Sequence, residues 1–378
     1  MHRKLIVVLA LLTASLPAHA DSEESPELVK WYGFARLDAI YDDSRLSNIQ
    51  FPQWVELEPD GPGDDNAEFS IHPRLTRLGV DIAPQQLGSL NASGKIEIDF
   101  QNGGGEARQL IRLREGYLEI KYDIFELLAG QTWDLISPLH PSANGDSLMW
   151  NTGNVGDRRP QLRGSVVLPA SGGALRLSAM AGQTGAVDGQ DLDDDGRLDG
   201  LESATPTVQG LAEFVRRGFR IGMWAHGGFE EVATPINEID GFGSWAAGGH
   251  IVIPIENRAW FKGEVHRGRN LTDIRGGIGQ AINPNTGNGI RSTGAWAEFG
   301  TRIRDPYTLI VGGYFENPDD RDIEDGAREL NWAYSITQHI KAHERLTVGV
   351  EYIFWKTDYK NSDSGTANRG NVWVRMSF

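Results

Sequence analysis

The chain has 378 residues, contains no cysteine and carries a formal net charge of −16 at pH 7. The lack of cysteine excludes disulfide bonds, thiolate metal sites and a cysteine nucleophile. Acidic residues are concentrated in segments such as 56–65 and 188–202, and this negative charge makes nucleic acid an unfavourable partner.

The first twenty residues have the pattern of a cleavable signal peptide. A short basic start at Arg3 and Lys4 precedes an apolar run and the sequence Ala-His-Ala, after which acidic residues follow. We therefore expect residues 1–20 to be removed on export and residues 21–378 to form the mature domain. Removal of the two basic residues changes the formal net charge from −16 to −18.

The mature chain contains no run of roughly 18 apolar residues, so no helix is expected to cross a bilayer. A membrane-spanning chain must then be a closed barrel, because only a helix or a closed sheet pairs every backbone group in lipid. The mean hydropathy of −0.37 agrees with a barrel whose apolar residues occupy alternate positions. The 46 glycines, 11 tryptophans and 9 tyrosines suit tight turns and aromatic girdles.

About sixteen segments of roughly 8 to 12 residues alternate between apolar and polar side chains. Short turns and long polar loops connect them in alternation, and this is typical of periplasmic turns and extracellular loops. We predict an all-β fold, a single transmembrane antiparallel β-barrel of about 16 strands with short periplasmic turns and long extracellular loops. The long loops are predicted near residues 42–68, 101–109, 134–160, 182–207, 229–243, 271–290, 317–327 and 358–369.

The final strand shows this alternation clearly. Its apolar face comprises Val372, Val374, Met376 and Phe378, and its other face comprises Trp373, Arg375 and Ser377. Such a strand suits lipid on one side and water on the other. The terminal phenylalanine resembles the signal by which barrel proteins reach the outer-membrane assembly machinery. We therefore expect the protein to reside in the bacterial outer membrane, in contact with lipid and lipopolysaccharide.

The alternation also predicts which side chains face the lumen. Arg36 and Asp38 share the polar face of the first strand, and Arg77 and Lys95 fall on the inward phase of the next two strands. The early wall is thus lined with charges of both signs. The phase of residues 112–119 is unclear, because its arginines and its other polar residues fall on opposite faces. A β-bulge or a subunit interface would reconcile them.

The third long loop is the natural constriction, because a barrel of this size leaves an aqueous channel unless something fills it. It carries Arg158 and Arg159 and leads into Arg163 on the inward phase of the next strand. A cluster of such arginines favours the passage of small anions. The alternative for each arginine is a salt bridge with a nearby acid. The predicted pore-lining residues are Arg36, Asp38, Arg77, Lys95, Arg158, Arg159 and Arg163.

Residues 191–202, within the loop at 182–207, match the spacing of a twelve-residue calcium loop. Calcium prefers six to eight oxygen ligands, and the acidic residues would surround one ion while Gly196 makes the sharp turn. The flanking residues do not resemble the paired helices of an EF-hand. We predict a structural calcium site; the alternative is a solvated acidic loop tip. The predicted ligands are Asp191, Asp193, Asp195, the carbonyl of Arg197, Asp199 and Glu202.

With these residues considered together, the chain resembles trimeric outer-membrane porins of the DcaP-like group, which are associated with uptake of dicarboxylates and other small anions. The resemblance covers most of the mature barrel and implies a sixteen-stranded homotrimer. The chain lacks the long heptad segment that some members carry, and it adds the calcium-type loop. The resemblance rests on GFARLDAIY at 33–41, RLGVD at 77–81, GKIEIDF at 94–100, LREGY at 113–117, AGQTW at 129–133 and RPQLR at 159–163.

The favoured function is a water-filled porin for passive diffusion of small hydrophilic solutes, with a preference for small anions. Two alternatives remain open from the sequence. One is a surface-adhesion barrel in which calcium bridges the acidic loop to lipopolysaccharide or to neighbouring cells. The other is an outer-membrane hydrolase, but none of the histidines lies in a catalytic motif, and no catalytic residue is predicted.

Overall fold

A computed structural model describes residues 28–57, 66–101, 109–185 and 190–378. The predicted signal peptide lies outside the described residues. Among the described residues, no helix is long and apolar enough to cross a membrane. One antiparallel sheet contains the strands β1 (Val29–Asp42), β2 (Glu68–His72), β3 (Arg77–Leu87), β4 (Leu90–Asp99), β5 (Arg112–Tyr122), β6 (Phe125–Trp133), β7 (Arg158–Ala170), β8 (Gly173–Gly182), β9 (Thr207–Arg216), β10 (Phe219–Ile236), β11 (Ile239–Ile255), β12 (Ala259–Arg269), β13 (Arg291–Arg304), β14 (Tyr307–Pro318), β15 (Arg328–Lys341), β16 (Leu346–Tyr359) and β17 (Ser364–Ser377).

The sheet closes into a barrel because β17 pairs with β1, with Arg36 opposite Arg375. The other edge of β1 pairs first with β3 and then with β2. Strands β2 and β3 follow each other along one barrel position and are separated by an irregular stretch at 73–76. The seventeen segments therefore make sixteen strand positions, and this confirms the predicted strand number.

The two faces of the barrel differ as the sequence predicts. On β17, Val372 and Val374 are 52% and 40% exposed on the outer face, whereas Trp373 between them is only 6% exposed. The outer face is apolar along most strands, and charged side chains are concentrated on the inner face. This pattern matches a transmembrane barrel with lipid outside and water inside.

The loops follow the predicted asymmetry with two corrections. Residues 229–243 do not form a long loop, because β10 and β11 continue as a hairpin around Asn237 and Glu238, both of which have positive φ. Residues 358–369 are also mostly strand, since only 360–363 separate β16 from β17. In both places the strands themselves carry polar side chains. Polarity alone therefore does not identify a loop.

The unclear phase at the start of β5 results from a β-bulge. Glu97 pairs with Glu115, but the next residue, Ile98, pairs with Leu113, so Arg114 is the extra residue. The bulge turns Arg114 toward the lumen along with Glu115. One of the two explanations that the sequence leaves open, the bulge, is therefore confirmed.

Three of the connecting segments fold into the barrel. We call them L1 (43–67, described in part), L3 (134–157) and L6 (270–290). L6 contains two short 3₁₀-helices, Thr272–Ile274 and Gly277–Gly279. Their apolar residues pack with inward side chains of the wall, and these form the main buried clusters of the protein. The core thus lies inside the barrel, where L1, L3 and L6 pack against its wall, rather than between two layers of sheet.

Candidate channel constriction

L3 crosses the lumen and is held by carboxylates of the barrel wall. The backbone N–H of Leu139 donates to Glu264 Oε1 at 3.0 Å, and that of Ser142 donates to Glu298 Oε1 at 2.6 Å. Glu351 likewise accepts from the Asn144 N–H at 3.1 Å. All three glutamates are buried, so these donors supply hydrogen bonds that water does not.

L1 and L6 brace L3 from its other side. The Asn151 N–H donates to the carbonyl of Arg275 at 3.0 Å, and the Gly156 N–H donates to that of Ile274 at 2.7 Å. Arg275 lies near the Trp150 ring, 5.3 Å from its centroid. A cavity of about 980 Å³ opens beside these contacts and is lined by residues of L1, L3, L6 and the neighbouring loops. This cavity forms a vestibule on the loop side.

Basic side chains cover the part of the wall that L3 leaves open. They lie on the adjacent strands β17, β1, β3, β4 and β5. The anchoring residue Glu264 is on β12, which lies halfway round the barrel from β4. L3 is therefore fixed to the far wall. We define the basic wall as Arg36, Arg77, Lys95, Arg112, Arg114 and Arg375.

The acids of the basic wall are buried beneath its cations. The Arg112 side chain is 29% exposed, whereas Asp99, which it contacts at 2.7 Å, is 0% exposed. Lys95 is likewise 25% exposed against 10% for Glu115. Arg114 lies deeper and binds Asp99 at 2.8 Å. At these pairs, water in the lumen therefore contacts the cations more than their acids, whereas Asp81 on β3 is exposed.

Arg36 and Asp38 both point inward and form a two-bonded ion pair, with Arg36 Nη2 2.6 Å from Asp38 Oδ1. Asp38 is fully buried beneath Arg36, and this corrects the prediction that Asp38 lines the pore. Arg36 also lies close to L3. A methyl group placed on Gly145 of L3 would lie 3.4 Å from Arg36 Nη2. The basic wall and L3 thus face each other across a narrow gap at this level.

L3 presents little charge to that gap. Within 138–145 the partly exposed residues are Pro138, His140, Ser142 and Gly145. Burial, together with the nearby cations Lys262, Arg158 and Arg114, lowers the pKa of His140 to about 4. His140 is therefore neutral at pH 7. The positive charge of the gap comes from the barrel wall.

The two loop arginines predicted to line the pore have other roles. Arg159 has no exposed surface and is bound between Asp134 at 2.7 Å and Asp273 at 2.8 Å. This corrects the prediction, because a buried guanidinium that binds two acids cannot contact a solute. The alternative reading from the sequence, a salt-bridge partner, fits Arg159.

Arg158 is nearly buried as well. It pairs with Asp157 at 3.0 Å and stacks on Trp133, with its guanidinium carbon 4.6 Å from the ring centroid. Burial alone would raise the pKa of Asp157, but Arg158 and Arg275 outweigh it and lower the pKa to about 2. The charge of Arg158 is therefore neutralised locally. Arg163, on β7, is partly exposed and binds Gln161 and the Trp133 carbonyl rather than an acid.

Several residues of the constriction were not singled out as pore residues from the sequence. Arg112 and Arg114 were noted only for their unclear phase, because the β-bulge hides their inward direction. Arg369 is buried and binds Asp42 at 2.8 Å, and it also reaches Asn144 of L3. Arg375 could have been found, since alternation already places it on the inward face of the last strand.

The calcium-type loop folds compactly. Oxygen atoms of Asp191, Asp193 and Asp195 lie within 4.8 Å of one another, and so do those of Asp193, Asp199 and Glu202. Gly196 has φ +87°, and its N–H donates to Asp191 Oδ2 at 2.9 Å. The Arg197 N–H donates to Asp195 Oδ1 at 2.8 Å. The one helix in the described part of this loop is the single turn α1 (Asp199–Glu202), so no EF-hand helix pair flanks the described site.

Burial of Arg159 leads to a first prediction. Replacing Arg159 with glutamine leaves Asp134 and Asp273 buried without their shared guanidinium, and this should cost about 3 kcal/mol of unfolding free energy. The measurement is denaturant unfolding in detergent micelles. The control Arg112→Gln should cost less than about 1 kcal/mol, because Arg112 is partly exposed and Arg114 still pairs with Asp99. Equal losses in the two variants would contradict the proposed structural role of Arg159.

Comparison with known proteins supports the fold. No family model matches the chain, and no curated protein matches it. Among solved structures, the outer-membrane channel DcaP of Acinetobacter baumannii is 19% identical with a TM-score of 0.73, and the match covers 93% of this chain and 97% of that one.

Two further structures are similar at lower scores. An anion-selective porin from Comamonas acidovorans is 11% identical with a TM-score of 0.59, covering 93% of this chain and 99% of that one. OmpF of Salmonella typhi, solved with daunomycin, is 13% identical with a TM-score of 0.60, covering 93% and 97%. The chain therefore has the β-barrel fold of these outer-membrane porins, and its resemblance to the DcaP-like group is confirmed at the level of the fold.

Proposed function

We propose that the protein is a channel for passive diffusion of small hydrophilic solutes and that it favours small anions such as dicarboxylates. The observation that carries the proposal is the sorting of charge on the basic wall, where cations contact the lumen and their acids lie beneath. A solute carboxylate passing the constriction would meet guanidinium groups on one side and the uncharged surface of L3 on the other.

The magnitude of this effect is sufficient for selection. Two unit charges 4 Å apart interact by about 4 kcal/mol at the effective dielectric constant near a protein surface. Arg77 and Arg112 are each 29% exposed, so part of this attraction is screened by water and salt. Even a fraction of it, exerted at several positions along the wall, favours anions over cations.

The similar structures support a channel rather than an enzyme, because they include an outer-membrane channel and a porin. The Comamonas protein is described as anion-selective.

We also propose a homotrimer, supported by a trimer form of the Vibrio cholerae outer-membrane protein OmpT, which is 12% identical with a TM-score of 0.58. Recognition of the last strand by the barrel assembly machinery is a further part of the proposal. That strand ends at Phe378, whose N–H donates to the Gly33 carbonyl at 3.1 Å.

Liposome swelling tests the preference for anions. Succinate should enter faster than the dication of 1,4-diaminobutane, which has a similar length and the opposite charge. The double variant Arg77→Gln/Arg112→Gln should slow succinate several-fold and leave the neutral solute erythritol unchanged, because only the wall charge is altered. The control Arg302→Gln changes an arginine near an exposed turn, where its side chain is 58% exposed. Faster entry of the dication into wild-type vesicles would contradict the proposal.

We further propose that residues 191–202 bind calcium as a structural ion. The donor set suits a hard cation, since it consists of carboxylates in two groups of three that share Asp193. Asp193 Oδ1 and Glu202 Oε2 are buried and have no hydrogen-bond partner among the described residues. An ion bound by Asp193 would lie beside both groups of acids, because Asp193 belongs to each of them. Calcium-mediated adhesion would require the same site, so one test of calcium binding bears on both the structural role and the adhesion alternative.

Calorimetric titration of calcium chloride into refolded protein tests this site, because refolded protein carries no lipopolysaccharide to bind the ion. Wild-type protein should bind one ion with a Kd of about 10⁻⁴ to 10⁻³ M, typical of extracellular calcium modules. Asp193→Asn should weaken this binding at least ten-fold, since Asp193 belongs to both groups of acids. The control Asp320→Asn alters an acid of another loop. Identical heats for Asp193→Asn and wild-type protein would rule out the site.

A further inference from the structure

Phe34 lies between two guanidinium groups on the inner wall. Arg77 on β3 has its guanidinium carbon 5.3 Å from the centroid of the Phe34 ring, and Arg375 on β17 lies at 5.5 Å. These strands pair with opposite edges of β1, so the two arginines approach from different sides. Arg375 also lies 5.7 Å from the Trp373 ring, which Arg36 contacts at 4.4 Å. We call these five residues the Phe34 site.

The positive charge of this site is only partly neutralised by the protein. Arg36 uses both oxygens of Asp38. Glu97 lies 2.7 Å from Arg114 but 3.5 Å from Arg77. No carboxylate within salt-bridge distance of Arg375 is found among the described residues, although Arg375 is directly opposite Arg36 across the β1–β17 pair. Like charges in that position are destabilising, so folding alone does not account for this arrangement.

One donor of the Phe34 site lacks a partner, and a second has only a long ion pair. The Nε–H groups of Arg375 and Arg77 are buried and make no hydrogen bond among the described residues, but Arg77 Nε lies 3.5 Å from Glu97 Oε1. A buried donor without a partner is costly, whereas hydrogen bonds from arginine to a carboxylate or phosphate are short and strong. The rest of the Arg77 side chain stays 29% exposed and can meet a solute. Both donors belong to side chains that contact the Phe34 ring.

We infer that the Phe34 site is an oxyanion-binding subsite on the periplasmic half of the channel. Arg375 is the main ligand and Arg77 the second, and the bound group is a carboxylate or a phosphate. This inference rests on the proposed function and adds a specific binding position to it. Phe34 and Trp373 hold the guanidinium groups through their ring faces, and this fixes the arginines without neutralising them. An acid in the same place would occupy the donors.

The site favours solutes with two anionic groups. Both guanidinium carbons lie within 5.5 Å of the Phe34 centroid, so they are separated by no more than twice that distance. A small dianion such as succinate can span the ring and engage both guanidinium groups. A monoanion of similar size can engage only one arginine at a time. The dianion should therefore remain longer at this position before it leaves for the periplasm.

Single-channel recording in planar bilayers tests the inference, with succinate or inorganic phosphate added to interrupt the chloride current. In wild-type protein, succinate should interrupt the current at lower concentration than acetate. Arg375→Gln should raise the half-blocking concentration of succinate about ten-fold. Arg375→Lys should raise it less and preserve anion selectivity, because it keeps the charge but loses the planar donors. The matched control Arg345→Gln lies in an exposed turn and should behave as wild type.

The outcomes separate this inference from the proposed function. If the channel is anion-selective but Arg375→Gln and Arg345→Gln have the same half-blocking concentration as wild type, the inference is overturned and the channel function stands. If the open wild-type channel prefers cations, the proposed anion preference fails as well. Interruption by succinate, by phosphate or by both supports the site and identifies the group it takes, and interruption by neither overturns it. A change of electrophoretic mobility on heating verifies that each variant is folded.

Discussion

Hydrogen bonds from the backbone of L3 to buried glutamates of the wall are the interaction on which the rest of the channel depends. Glu264, Glu298 and Glu351 lie in the barrel interior, where an ionised carboxylate without donors is costly. L3 supplies those donors from consecutive parts of one segment. These three acids are therefore covered by peptide groups of L3. The same bonds position L3 across the lumen.

This arrangement separates the two signs of charge although the chain is acidic overall. Glu264, Glu298 and Glu351 accept hydrogen bonds from L3, whereas Asp99 and Glu115 of the basic wall lie beneath arginines and a lysine. The cations can extend past their acids because their side chains are longer and keep their charged ends in water. The net charge of the chain therefore does not predict the charge that the lumen exposes to solutes. The exposed ends of the ion pairs determine which ions the pore attracts.

Strand number and side-chain direction could be predicted from the sequence, because a barrel strand repeats every two residues whatever its neighbours are. The inward direction of Arg36 and Asp38 was predicted correctly for this reason. Arg159 was not, because its burial depends on Asp273, which is distant in sequence and reaches it only when L6 folds inward. The hairpin beyond residue 229 was missed because polar strands outside the membrane resemble loops. Charge partners and loop folding are tertiary properties that alternation does not encode.

The central claim is that the exposed cations of the basic wall give the constriction its selectivity. The most direct test is the reversal potential of the purified protein in a planar bilayer across a gradient of potassium chloride. The structure predicts a potential with the sign of chloride selectivity, which should decrease when the salt concentration on both sides is raised because salt screens the wall. A potential with the sign of potassium selectivity would contradict the claim and would mean that the acidic loops at the mouth govern permeation.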